Sequence, residues 1–128
     1  AAQLEDFYTR PVGRYSGGMK RRANLILSLL HEPKLLFLDE PTVHVDPQSR
    51  HVIFSILKEL NQNGVTLIYT THYMEEAEQL CGRIAIMNAG AFMTVDTPHN
   101  LIASTQGAKN LEDVFLNLTG RHLRDTYA

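Results

Sequence analysis

The sequence predicts an α/β protein with a mostly parallel sheet, because short apolar runs alternate with helix-like segments along most of its length. The first apolar run, residues 34–39, lacks polar alternation, which is typical of a strand buried on both faces of a parallel sheet. Residues 65–70 form a second such run. The chain has 128 residues, of which 44% are hydrophobic, and this size suits one compact globular unit.

Two helices are predicted around the first strand. One covers residues 19–30, after a breaker cluster at residues 15–18 and before Pro33. The other opens at Asp46, which is placed to cap it, with Pro47 at the first helical position. Its apolar side chains recur at helical spacing and share one face; they are Val52, Ile53, Ile56, Leu57 and Leu60.

The alternation continues after the second strand. Residues 73–80 are predicted to form a short helix. Residues 83–87 and 91–95 flank a turn at residues 88–90, which is the pattern of a β-hairpin. The tail, residues 98–128, is predicted to form short helices.

Composition narrows the partners that the chain can have. Twelve basic and fourteen acidic residues give a formal charge of -2, so a field that would hold nucleic acid or acidic lipid is not expected. Arg14, Lys20, Arg21 and Arg22 form a basic cluster, which we interpret as a solvated helix face. No apolar run approaches the ~20 residues that cross a bilayer. A single cysteine, Cys81, is consistent with a reducing compartment such as the cytoplasm.

Two acids mark the carboxyl end of the first predicted strand. Open parallel sheets bind ligands beyond the carboxyl ends of their strands, and Asp39 and Glu40 lie at that point. One carboxylate can hold Mg²⁺ while its neighbour orients or deprotonates an attacking water, as phosphoryl transfer requires. The alternative is a strand end with two solvated acids.

Two further positions carry polar groups suited to phosphate. His72 follows the second predicted strand, where its side chain can donate a hydrogen bond to a terminal phosphate oxygen. Ser16, Gly17 and Gly18 precede the first helix and supply a hydroxyl and unobstructed N–H groups at the positive end of its dipole. A surface histidine and an ordinary helix cap are the alternatives.

The order of these segments resembles that of the ATP-hydrolysing subunits of ABC transporters. Residues 15–19 (YSGGM) are similar to their signature motif, residues 35–40 (LLFLDE) to their Walker B strand and residues 43–46 (VHVD) to their D-loop, while His72 falls at the place of their switch histidine. The resemblance covers at least residues 13–95 and implies a P-loop NTPase-like, three-layer α/β fragment.

The same resemblance implies two parts and a paired assembly. Residues 1–95 would form the C-terminal half of the ATPase domain, and residues 96–128 a helical extension. Two ATPase subunits, identical or different, would pair head to tail around two ATP molecules. Ser16, Gly17 and Gly18 would then contact the γ-phosphate of the ATP held by the partner.

Four side chains receive further roles from the resemblance. Asp39 would help place Mg²⁺, and Glu40 would polarise the attacking water. His72 would contact the γ-phosphate, and Asp46 would couple the two ATP sites. Asp46 also has a structural reason to be present, because it is placed to cap a helix.

The sequence departs from the family pattern at several points. Tyr15 stands where the family usually has Leu, Met19 where it usually has Gln, and residues 43–45 are unusual for a D-loop. The phosphate-binding pattern G-x-x-x-x-G-K-[ST] does not occur in the 128 residues. We therefore interpret the sequence as a fragment that lacks the phosphate-loop half, and we predict that it has no ATPase activity alone.

The tail indicates the type of transporter. Residues 110–120 resemble the closing segment of ATPase subunits that serve multidrug and polysaccharide exporters. The implied partners are transmembrane permease subunits, at the cytoplasmic face of the cell membrane. Two alternatives stay open: an ATPase of the same superfamily in DNA maintenance or translation, and a non-catalytic module that completes a partner's ATP site.

Overall fold

The structure is a computed structural model that describes residues 9–120. These residues form two compact units, the first ending at Thr70 and the second beginning at Thr71. The elements of the first unit are a 3₁₀ turn at Val12–Arg14, helix α1 at Gly17–Leu29, strand β1 at Leu35–Asp39, helix α2 at Pro47–Gln62 and strand β2 at Thr66–Thr70.

Both helices of the first unit begin at capping side chains. Ser16 Oγ accepts a hydrogen bond from the Met19 N–H over 3.2 Å, so α1 begins two residues before its predicted start. Asp46 Oδ1 accepts from the Ser49 N–H over 2.9 Å, and Pro47 occupies the first helical position as predicted. Each cap satisfies one of the N–H groups that lack a partner within the first turn.

The core of the first unit lies between the helices and one face of a two-stranded sheet. Strands β1 and β2 are parallel, with Leu35 opposite Thr66 and Asp39 opposite Thr70. The predicted parallel pairing and the apolar stripe of α2 are therefore confirmed. The buried residues of this core are Leu25, Leu36, Leu38, Val45, Ile53 and Leu57.

The predicted burial of β1 on both faces is wrong for this chain. Successive side chains of a strand point to opposite faces of the sheet, and α1 and α2 cover only the face that carries Leu36 and Leu38. On the other face Phe37 is 69% exposed and Leu35 is 45% exposed. An apolar run without alternation therefore leaves one apolar face of the sheet accessible.

The second unit packs helices against a hairpin. Its elements are α3 at Met74–Leu80, β3 at Ile84–Asn88, β4 at Ala91–Asp96, α4 at Pro98–Ser104 and α5 at Leu111–Thr119. Strands β3 and β4 are antiparallel, and Ala89 and Gly90 between them have φ angles of +48° and +79°, which suit a two-residue hairpin turn. The buried core residues are Ala77, Ile84, Ile86, Leu101, Leu111 and Val114.

The short helices predicted for the tail are confirmed as far as residue 120, and residues 121–128 lie outside the described part of the chain. The compact units divide at Thr70, whereas the boundary expected after residue 95 concerns the domain of the family, and it stays a prediction. Within residues 9–120, no helix is both long and apolar enough to cross a membrane.

Candidate functional site

Thr70 joins the two acids at the carboxyl end of β1. Its hydroxyl donates to Asp39 Oδ1 over 2.5 Å and accepts from the Glu40 N–H over 3.2 Å. The same N–H also lies 3.1 Å from the Thr70 carbonyl oxygen. A threonine hydroxyl has one hydrogen to donate and two lone pairs to accept, so Thr70 binds the Asp39 carboxylate and the Glu40 backbone at the same time. The parallel register places it there, because β2 ends opposite Asp39.

The backbone of Glu40 adopts a left-handed conformation, with φ at +43°. This region is uncommon for residues other than glycine and is populated only where the surroundings enforce it. Arg21, on α1, supplies part of that enforcement: its Nη2 donates to the Glu40 carbonyl oxygen over 3.0 Å. Its Nε donates to the Pro41 carbonyl oxygen over 3.1 Å.

These contacts correct the interpretation of the basic cluster as a solvated helix face. Arg21 is only partly exposed and is engaged with the turn after β1. Arg22 is 8% exposed, and its Nε is buried without a hydrogen-bond partner. The interpretation as solvated side chains holds only for Arg14 and Lys20, which are exposed.

The chemistry of the strand end suits Mg²⁺ that arrives with a nucleotide. Mg²⁺ is usually held by one or two carboxylates together with waters and phosphate oxygens, and dedicated all-protein cages are rare. Asp39 is exposed, and Thr70 engages one of its two carboxylate oxygens. Among the described residues no group of three or more His, Cys, Asp or Glu side chains is placed to hold a metal ion. Asp39 therefore fits a metal whose remaining ligands come from substrate and water.

The two glycines at the start of α1 stand in different surroundings. A Cβ on Gly17 would meet no atom within 4 Å. A Cβ on Gly18 would lie 2.7 Å from Ser49 Cβ and 2.9 Å from Asp46 Oδ2, closer than packed atoms approach. Gly18 is therefore required by packing against the start of α2, whereas Gly17 leaves the helix terminus open to a ligand.

Ser16 combines a structural and a chemical role. Its Oγ lone pair caps α1 through the Met19 N–H, so the predicted alternative of a helix cap is confirmed. The hydroxyl also has one hydrogen to donate, and Ser16 and Gly17 are both exposed. The positive end of the helix dipole lies at this terminus. The arrangement can accept an anion without breaking the cap.

Asp46, the N-cap of α2, lies next to Gly18 at the start of α1. The Ser49 backbone N–H, followed by the Ser49 side chain, holds the pKa of the Asp46 carboxyl below its usual range, and the charge of Arg22 acts in the same direction. These interactions favour the ionised form. Asp46 is thus a charged residue next to Gly18 at physiological pH.

His72 lies in the second unit, in a bend two residues after the end of β2. Its ring contacts that of Tyr73, with centroids 4.2 Å apart. The Thr71 hydroxyl accepts from the Tyr73 N–H over 3.0 Å and donates to Glu76 Oε2 over 3.2 Å. Glu76 is 3% exposed, so a buried carboxylate fixes the turn that presents His72.

Comparison with known proteins identifies the family. A model of the family described as "AAA domain, putative AbiEii toxin, Type IV TA system" matches residues 4–76. The linearmycin resistance ATP-binding protein LnrL of Bacillus subtilis strain 168 is 44% identical over 113 residues, which are 88% of this chain and 35% of that protein. The chain belongs to the ATP-binding proteins of ABC transporters.

Other ABC ATP-binding proteins match the chain similarly. The Nod factor export ATP-binding protein I of Burkholderia orbicola is 44% identical over 111 residues, 87% of this chain and 36% of that protein. A solved structure of an ATP-binding subunit of an ABC transporter has a TM-score of 0.80 at 24% identity, covering 92% of this chain and 50% of the other. The predicted α/β fold is thereby confirmed. The chain spans about a third of the length of these curated relatives.

The first unit of the chain holds most of the residues predicted for the site. Asp39 and Glu40 are adjacent at the end of β1, and the capping residue Asp46 lies beside Gly18, where an added Cβ would be 2.9 Å from Asp46 Oδ2. His72 belongs to the second unit. The roles of these residues toward ATP and Mg²⁺ stay predictions.

Sequence reasoning missed two residues of the site. Thr70 is the last residue of β2. The sequence indicated its role only by a hydroxyl at the carboxyl end of a strand that pairs with β1, the strand that ends in Asp39. Arg21 lies 19 positions before Glu40, and charge alone gave no sign that it reaches a backbone carbonyl. Both contacts depend on how separate elements meet in the fold.

Proposed function

We propose that this chain is part of the ATP-hydrolysing subunit of an ABC exporter. The subunit would couple ATP hydrolysis to export by working with a second ATPase subunit, identical or different, and with transmembrane permease subunits at the cytoplasmic face of the membrane. The relatives named for Nod factor export and linearmycin resistance support export as the direction of transport.

The pair of acids at the carboxyl end of β1 carries the proposal. Asp39 is exposed there for Mg²⁺, and Glu40 follows it in a backbone conformation held from both sides. In the proposed reaction Glu40 polarises the water that attacks the γ-phosphorus of ATP. Mg²⁺ bound with ATP supplies positive charge that neutralises the phosphate oxygens.

The remaining residues are proposed to bind the triphosphate and to link the two sites. Ser16, Gly17 and Gly18 form the end of α1 that faces the γ-phosphate held by the partner subunit, where the helix dipole favours negative charge. His72 donates a hydrogen bond to a γ-phosphate oxygen in the same proposal. Asp46 connects the end of α1 with α2 and so couples the two sites.

Glu40→Gln tests the proposal in the complete gene product that contains this chain. The amide keeps the shape of the side chain but cannot act as a base, so kcat for ATP hydrolysis is expected to fall by about 100-fold or more. Binding of Mg²⁺–ATP, measured by equilibrium dialysis, is expected to persist. Glu59→Gln is the matched control, because Glu59 is an exposed carboxylate on α2, and it is expected to leave kcat unchanged.

Two results would count against the proposal. Unchanged hydrolysis in Glu40→Gln would remove Glu40 from the reaction. Hydrolysis that appears only with a second ATP-binding subunit, and that Glu40→Gln leaves unchanged, would favour the non-catalytic module that completes a partner's site.

A further inference from the structure

We propose that Arg21 is a positioning residue for Glu40, and this inference rests on the proposed role of Glu40 in hydrolysis. The guanidinium of Arg21 spans two consecutive carbonyl oxygens, those of Glu40 and Pro41, at 3.0 and 3.1 Å. A planar guanidinium presents its N–H groups in a fixed fork. Two bonds from one fork fix the orientation of the peptide group that follows Glu40.

The conformation of Glu40 makes such a restraint necessary. With φ at +43°, the residue lies in the left-handed region, which is unfavourable for a residue with a side chain relative to the right-handed region. The N–H of Glu40 is bound to Thr70 on the β2 side, and its carbonyl is bound to Arg21 on the α1 side. Without Arg21 the peptide after Glu40 loses its anchor to the helix.

The direction of the Glu40 Cα–Cβ bond follows from its backbone angles. A rotation at this residue would move the carboxylate relative to Asp39 and the end of β1. A displacement of about 1 Å of a catalytic group can cost about 100-fold in rate. Arg21 therefore acts on hydrolysis through geometry, without contact with the nucleotide.

Arg21 also joins two parts of the candidate site. It lies one turn after Ser16 and Gly17 on the same helix, so the end of α1 proposed to face the partner's ATP and the turn that carries Glu40 are connected through one side chain. The cap contact between Gly18 and α2 is a separate connection.

Arg21→Met, which keeps an unbranched side chain of similar helix propensity but removes the guanidinium, tests the inference in the complete gene product. We expect kcat for ATP hydrolysis to fall by up to about 100-fold while KM for ATP changes by less than about threefold. Arg21→Lys is expected to recover part of kcat, because an ammonium can donate to one of the two carbonyls. Lys58→Met is the control, since Lys58 is an exposed cation on α2 and its loss is expected to leave kcat unchanged.

A double-mutant cycle separates positioning from general destabilisation. In a Glu40→Gln background, Arg21→Met is expected to cause no further loss of the residual rate, because Arg21 acts only through Glu40. A further loss equal to that in the unmodified background would overturn the inference. If Glu40→Gln itself has no effect, the proposed function fails; if only Arg21→Met has none, the positioning role fails and the proposed function stands.

Amide hydrogen exchange without nucleotide gives a readout independent of activity. The Val43 N–H is bonded to the Glu40 carbonyl oxygen over 3.3 Å, beside the Arg21 bond to the same oxygen. Arg21→Met is expected to accelerate exchange at Glu40 and Val43 and to leave exchange in β2 unchanged. Equal protection of Glu40 and Val43 in both proteins would contradict the inference.

Discussion

Gly18 lies directly against Ser49, so that a Cβ at position 18 would come within 2.7 Å of Ser49 Cβ. Gly18→Ala is therefore expected to force α1 and α2 apart and to lower the free energy of unfolding by about 1–3 kcal/mol. Urea unfolding followed by circular dichroism measures this change. Gly17→Ala is the matched control, because no atom lies within 4 Å of its added Cβ, and it is expected to leave stability unchanged or raised by less than about 1 kcal/mol.

The double variant Gly18→Ala/Ser49→Gly identifies the cause of that loss. Removing the Ser49 side chain removes the nearest atoms to the new methyl group, so the double variant is expected to lose less stability than the sum of the single variants. Strictly additive losses would show that the contact with Ser49 is not the reason why glycine is required at position 18.

Asp46 gives the first unit a stabilising interaction that depends on pH. Its pKa is lowered from the ordinary value of 3.8, chiefly because its carboxylate accepts the Ser49 N–H. A lowered folded-state pKa means that the stabilisation is present above the unfolded value and is lost as pH falls through the folded value. Asn caps helices about as well as Asp but carries no charge, so Asp46→Asn isolates the contribution of the charge.

Thermal unfolding of both proteins from pH 7 to pH 2 measures this contribution. At pH 7 the unmodified chain is expected to have the higher Tm, and the difference is expected to shrink below about pH 4. A difference that stays constant down to pH 2 would show that the charge of Asp46 does not stabilise the fold.

The two faces of β1 are expected to respond differently to substitution. Phe37 is 69% exposed and Ile53, beneath the other face, is 1% exposed. Phe37→Thr is expected to change the free energy of unfolding by less than about 0.5 kcal/mol, while Ile53→Ala is expected to lower it by about 2–5 kcal/mol. Exposed apolar faces also promote association, so sedimentation velocity is expected to show less self-association in Phe37→Thr. A large loss of stability in Phe37→Thr would contradict the one-sided burial of the strand.

Local sequence signals predict the helices and strands, whereas burial and side-chain contacts depend on how those elements pack together. The start of α2 follows from Asp46 and Pro47 alone, because a cap and an N-terminal proline act within one turn. The exposure of Phe37 could not be predicted in this way, since it depends on which layers cover the sheet. The carbonyl contacts of Arg21 likewise need the fold to bring α1 to the end of β1.

The candidate site shows the same division. Asp39 and Glu40 were placed correctly at the end of a strand, because an apolar run followed by two acids is a local pattern. The left-handed conformation of Glu40 and its contacts with Thr70 have no local signature. Residues chosen for their chemistry were therefore located from the sequence, while the residues that hold them in place were found only in the structure.

The 128-residue polypeptide is expected to show no ATP hydrolysis by itself. Its sequence has no G-x-x-x-x-G-K-[ST] loop, and such a loop supplies the backbone N–H groups and the lysine that hold the phosphates in cis. Release of phosphate from Mg²⁺–ATP by the purified polypeptide is expected to equal that of a Glu40→Gln polypeptide. In a hybrid protein in which this chain replaces the matching segment of LnrL, to which it is 44% identical, ATP hydrolysis is expected to require Glu40. Turnover by the polypeptide alone that disappears in Glu40→Gln would show that its own residues hold the nucleotide without a phosphate loop.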